Sequence, residues 1–262
     1  MQPNATPELV PATGDGGVGQ PDRLEQAAAL GGVVFALLTL LYIALSPQVD
    51  PAASPRAVVR AYTEHRTAAL FWNEIFAVSN FFYIFFLGAL YHRLRRAEGG
   101  TGWLALIAFT GGLGLVLTHV VETLSAQVLA WHVAPDAVSS GDLSSVRVLF
   151  DLNSLTVYYD VIPNIASITA VVILTLRTGV FPRWLAWFGI GMTAAGLVMT
   201  LGITHPQQGA LTLVPENVYA LAWLFIYLPA LVFFLVRPER PARNAASVTD
   251  RSPATAPRSQ QT

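Results

Sequence analysis

The sequence predicts an all-α, polytopic membrane protein: a six-helix transmembrane bundle with both termini cytoplasmic and a short amphipathic helix in the first outer loop. Three observations lead there. Of 262 residues, 53% are hydrophobic and 12% are charged, a balance foreign to an ordinary soluble domain. The apolar residues gather into six long runs, each near the roughly 20 residues a helix needs to cross hydrocarbon. The runs do not alternate polar and apolar at every second residue, as strands of a membrane barrel would.

The N-terminal stretch "MQPNATPELVPATGDGGVGQPDR" is rich in proline and glycine and carries acid. It lacks the basic start and apolar core of a cleavable signal peptide. Residues 1–24 and 238–262 read as disordered tails, with too little apolar surface to bury, around a six-span membrane domain at 25–237. The first span runs from Gln26 to Leu45. In the outer loop that follows, "SPRAVVRAYTEHR", Ser54 is a candidate cap and Pro55 a first helical residue. Ala57, Val58, Ala61 and Tyr62 then give an apolar stripe suited to the membrane surface. Tyr62, His65 and Arg66 read as interfacial anchors, or else as a rim selecting what enters.

The remaining spans run from Leu70 to Leu90, Trp103 to Trp131, Val146 to Leu176, Trp184 to Ile203 and Val218 to Val236. Pro182 stands where the fifth should begin, a position that loses no hydrogen bond. Trp184 and Trp187, like Trp103 and Trp131, suit an aromatic belt. Gly111, Gly112 and Gly114 in the third span, with Gly189, Gly191, Ala195 and Gly196 in the fifth, suit close helix approach. "LRRAEGGTGWLALIAFTGGLGLV" and "LRTGVFPRWLAWFGIGMTAAGLV" echo one another, as a duplicated hairpin would. The common needs of two cytoplasmic hairpins explain the echo equally well. The basic residues, all arginine, fall eleven on the side of the tails and four on the other, which puts both termini inside.

Polar residues inside the spans are the candidate site. The second span carries Glu74 and Asn80, the third His119 and Glu122, and the fourth Asp151, Asn153, Asp160, Asn164 and Ser167. His119 and Glu122, three apart, share a helix face with Ala108, Gly112, Leu115 and Ala126. Asn153, Asp160, Asn164 and Ser167 form one stripe. Pro163 within it frees the carbonyl of Tyr159 and predicts a kink. At 1.5 Å per residue, Glu122 lies about 13 Å deep, and His119 and Asp160 about 18 Å deep, from the outer ends of their helices. The polar groups should therefore line an outward crevice walled by the second, third and fourth helices.

Intramembrane carboxylates mark functional sites by default. His119, Glu122, Asp160, Asn164, Asn153, Glu74, Asn80 and Asp151 are thus candidates for binding or moving a small molecule, ion or proton. His119, Glu122 and Asp160 are the ligands a metal would use if one were bound, and an intramembrane metal-dependent hydrolase is the alternative. A third reading is a structural or assembly partner that uses the glycine-rich faces. No catalytic residue stands out. No cofactor is predicted: with one deep histidine, a haem held by two is disfavoured. No cysteine is present, which removes disulfides and thiolate chemistry. A net charge of −1 argues against nucleic acid, leaving the bilayer as the expected partner.

"VVRAYTEHRTAAL", "LGALYHRLRRAEG", "LFDLNSL" and "LRTGVFPRWLAWFG" together resemble a broad group of uncharacterised actinobacterial multi-pass membrane proteins, over roughly residues 25–237. The resemblance implies a bacterial plasma-membrane location and a helical topology. It implies no activity and no site residue.

Overall fold

The computed structural model describes residues 23–47, 49–50, 52–202 (201 and 202 by backbone alone) and 218–237. Most of both expected tails lies outside these residues, as do Ile203 at the end of the fifth expected span and the loop after it. Helix is the regular structure throughout, with no strand among the described residues.

Helix α1 is Arg23–Leu45, α2 Pro55–Glu64, α3 Arg66–Glu98 and α4 Trp103–Val128. A single π-turn, Leu129–Val133, joins α4 to α5, Ala134–Ser140. Then follow α6 (Ser144–Tyr159), α7 (Val161–Thr178) and α8 (Arg183–Gly202). The last, α9, is Val218–Val236 and contains a second π-turn at Trp223–Tyr227. Five helical stretches are long and apolar enough to cross a membrane: α1, α3, α4 with α5, α6 with α7, and α9. The fifth expected span is the 20-residue helix α8, which is not among those five.

Packing order makes a closed ring. α1 lies against α3, α3 against α4, α4 against α7, α7 against α8, α8 against the π-turn of α9, and α9 against α1. The core inside it includes Phe35, Phe86, Leu94, Leu174, Leu185 and Leu228, each at most 2% exposed. One end of the ring gathers the arginines. Arg96 of α3 pairs with Glu25 of α1 at 2.8 Å, and the Gln26 amide donates to the Val236 carbonyl of α9 at 3.5 Å. At this end the α3–α4 and α7–α8 turns each open on a glycine, Gly99 and Gly179, at φ 64° and 70°. Left-handed backbone is what glycine tolerates and other residues resist. The two hairpins share this requirement. In the first, the Glu98 carboxylate accepts from the amides of Leu104 (3.1 Å) and Ala105 (2.8 Å), closing orphan donors at the start of α4.

The other end carries a second, smaller core. Ser54 caps α2 through Ala57 N–H at 3.3 Å, with Pro55 next, as expected. Of the expected stripe, Val58 and Tyr62 face protein, whereas Ala57 is exposed and Ala61 half-buried. Val58, Val59 and Tyr62 are buried against Leu129, Ala134, Ala137, Val146 and Phe150. The third span runs on past Trp131 as α5, and this extension supplies the surface that α2 covers. Arg66 is likewise more than an anchor. Pro135 has no N–H to offer the Trp131 carbonyl four residues before it. The Arg66 guanidinium donates there instead at 3.1 Å, and to the Ala130 carbonyl at 3.2 Å. Pro229 follows the π-turn of α9 in the same way that Pro135 follows the first.

α6 passes into α7 at Asp160, three residues ahead of Pro163, with the backbone there still helical at φ −64° and ψ −26°. The expected kink is thus no more than a one-residue irregularity in a continuous stretch, Ser144–Thr178. Close packing holds it: a Cβ at Gly111 would lie 2.7 Å from both the Pro163 carbonyl oxygen and the Ser167 nitrogen, and one at Gly114 2.7 Å from Pro163 Cβ. Ser167 donates across the same contact to the Ala108 carbonyl at 2.8 Å. Gly112, Gly189 and Gly196 are also tightly covered, whereas Gly191 has nothing within 4 Å and serves no helix contact here. Gly111→Ala should therefore destabilise the protein by about 1–3 kcal/mol, because backbone must move. Gly191→Ala should stabilise it by about 0.5–1 kcal/mol through helix propensity. Thermal unfolding of the two variants in detergent tests the pair.

Candidate functional site

His119 sits on the inward face of α4, 7% exposed. The ring lies against Phe76 of α3 (centroids 4.8 Å) and stacks on Phe35 of α1 (6.2 Å). Its protons can be placed from the network. Asn80 Nδ2 donates to the Phe76 carbonyl at 2.9 Å, one turn back, which directs Oδ1 at the histidine. His119 Nδ1 stands 2.8 Å from that oxygen. An amide oxygen only accepts, so Nδ1 holds a hydrogen and Nε2 is left for another partner.

That partner is Asp160. His119 Nε2 lies 3.8 Å from Asp160 Oδ2, within ion-pair range and about 1 Å beyond a direct hydrogen bond. The carboxyl group is 27% exposed, against 9% for the histidine side chain. The close α4–α7 contact at Gly111 and Gly114 holds the two helices near each other beneath the pair.

Glu122, half-buried one turn outward, meets different neighbours. The Tyr42 hydroxyl of α1 donates to its carboxylate, and Tyr62 of α2 lies within its electrostatic reach. Asn153 of α6 donates to the Glu122 backbone carbonyl at 2.9 Å and approaches Ser125 Oγ at 3.4 Å. Its role here is to join α6 to α4. Among the described residues no three His, Asp or Glu side chains gather as a metal site. The set His119, Glu122 and Asp160 that the metallo-hydrolase reading needs does not assemble.

Two candidates stand apart. Glu74 is exposed on α3 and takes a hydrogen bond from Gln127 at 3.4 Å. Asp151 is held by both Nε and Nη2 of Arg147 at 2.8 Å, one turn earlier on α6. The forked pairing fixes the start of α6 and leaves that carboxylate engaged.

The inner half of the stripe continues along the same side. Asn164 and Ser167, each 5% exposed, line a small cavity with Tyr83, Trp223 and Tyr227. Tyr219 of α9 lies within electrostatic reach of Asp160, Tyr83 and Tyr227. The Oη atoms of Tyr219 and Tyr227 are buried with no hydrogen-bond partner. Sequence reasoning missed α1, α9 and these tyrosines, because aromatic residues in a span count as apolar. One signal was present: Asn73, Phe76, Asn80 and Tyr83 follow one another at three- and four-residue intervals, so Tyr83 shares the face of Asn80.

Asn80→Leu should leave the buried Nδ1–H unpaired, at a cost of about 1–2 kcal/mol. The measurement is the ¹⁵N shift pattern of His119, expected as the Nδ1–H form in the native protein and mixed in the variant. A mixed pattern in the native protein would overturn the proton placement.

No protein-family model, no curated protein and no solved structure matches this chain.

Proposed function

We propose that the protein is a proton-binding, proton-conducting component of a bacterial plasma membrane, with the His119–Asp160 pair as its central carrier. The observation behind this reading is the 3.8 Å approach of Nε2 to Asp160 Oδ2, with Nδ1 already committed to Asn80. A histidine tied at one nitrogen can take up or release a proton only at the other, and that nitrogen faces a carboxyl group. Groups of this kind inside a bilayer are expensive, and paired arrangements of them serve as relays. Glu122 with Tyr42 and Tyr62 extends the polar path toward the end covered by α2.

The topology belongs to the same proposal. α8, at 20 residues, is about 30 Å long and acts as a sixth span. Both termini then lie on the side of the arginine-rich end, the cytoplasm. Placement in a bacterial plasma membrane rests on the resemblance noted above.

Two experiments test these statements. In proteoliposomes under an imposed membrane potential, Asp160→Asn should cut proton flux roughly a hundredfold, the low end of what a positioned proton acceptor supplies. Flux equal to wild type would end the reading. For topology, the absence of native cysteine makes single reporters clean. An impermeant thiol reagent should label Ser140→Cys in intact spheroplasts and Thr101→Cys only after permeabilisation. The reverse pattern would invert the orientation.

A further inference from the structure

The proton reading uses Asp160 only with His119. Three buried tyrosines, Tyr83, Tyr219 and Tyr227, have no part in it. Tyr227 is 2% exposed, and its Oη has no hydrogen-bond partner. An orphaned buried hydroxyl is costly, so it calls for something to bond. Its position is not accidental. Pro229 cannot donate to the carbonyl of Phe225, and the helix widens there into the π-turn Trp223–Tyr227, closed by Leu228 N–H on the Trp223 carbonyl. This turn places both Trp223 and Tyr227 on a cavity shared with Tyr83, Asn164 and Ser167. The space open to the centre of a water molecule is ≈ 10 Å³, about one water's worth. Ser167 Oγ spends its hydrogen on the Ala108 carbonyl and so presents lone pairs. The Asn164 amide, buried on α7, offers both donor and acceptor.

Resting on the proton reading, we propose that this cavity is a water site, held by Tyr227 Oη, Asn164 and Ser167, and that it forms the inner half of the proton path from Asp160, which stands one helical turn before Asn164. The transfer balances at the water. The Asp160 O–H bond breaks as a new O–H bond forms on the water, and the water releases one of its other protons inward. The water ends neutral, and one proton has moved.

Tyr227→Phe tests this, since it removes a single oxygen and keeps the packing. The full chain is reconstituted in liposomes, and proton flux is read together with thermal unfolding. If a water bonds Oη, the variant loses that bond: Tm falls by about 2–4 °C, and flux drops at least about tenfold. If the cavity is dry, removing an orphaned hydroxyl raises Tm. A raised Tm, or wild-type flux in Tyr227→Phe beside abolished flux in Asp160→Asn, overturns the inference and leaves the proton reading standing. Wild-type flux in Asp160→Asn overturns that reading itself, and this inference with it.

Discussion

The crossing of α4 over α7 is the contact on which the rest depends. Gly111 and Gly114 have no side chain at the place where Pro163 and the Ser167 backbone come nearest, and any Cβ there would meet them at 2.7 Å. Pro163 in turn withholds a hydrogen bond from the Tyr159 carbonyl, next to the one-residue junction of α6 and α7 at Asp160. The glycine contact holds α7 close against α4, and Asp160 at its start faces His119.

Proline recurs as the device that shapes this bundle. In hydrocarbon each unpaired carbonyl is costly, so every proline inside a helix imposes a local answer. At Pro135 the answer is a π-turn and the guanidinium of Arg66, reaching from the next helix to the Ala130 and Trp131 carbonyls. At Pro229 it is again a π-turn, and there the widened backbone presents Trp223 and Tyr227 to the interior. At Pro163 it is a one-residue irregularity at Asp160, where the backbone stays helical. The outer core, the candidate proton pair and the inner cavity each adjoin one of these positions.

The polar residues divide by what they face. Asn80 spends its amide on orienting His119, Asn153 on holding α6 against the Glu122 carbonyl, and Asp151 on Arg147. These are fixed and satisfied. Asp160 stands 3.8 Å from His119, beyond a direct hydrogen bond, and the hydroxyls of Tyr219 and Tyr227 are buried without a partner. A metal would require ligands converging on one point.

Much of this was legible in the sequence, for reasons of period and solvent. A 3.6-residue repeat puts His119 on the face of Ala108, Gly112 and Leu115, and all of them are buried. The spacing of Asn153, Asp160, Asn164 and Ser167 directs them to the α3–α4 side even across the junction at Asp160. Ser54, Pro55, Gly99, Gly179 and Pro163 act within a turn of themselves, so local chemistry reveals them. What the sequence by itself determined was therefore where helices form and which of their faces turn inward. Which groups meet was decided by tertiary structure. Glu122 turns to Tyr42 and Tyr62, Glu74 to Gln127, and α2 to protein instead of lipid. Period along one helix fixes a direction, but rotation and closeness between helices depend on glycines, prolines and aromatic bulk from segments far apart in the chain. For that reason α1 and α9, whose contributions are aromatic, entered the site only when the ring closed.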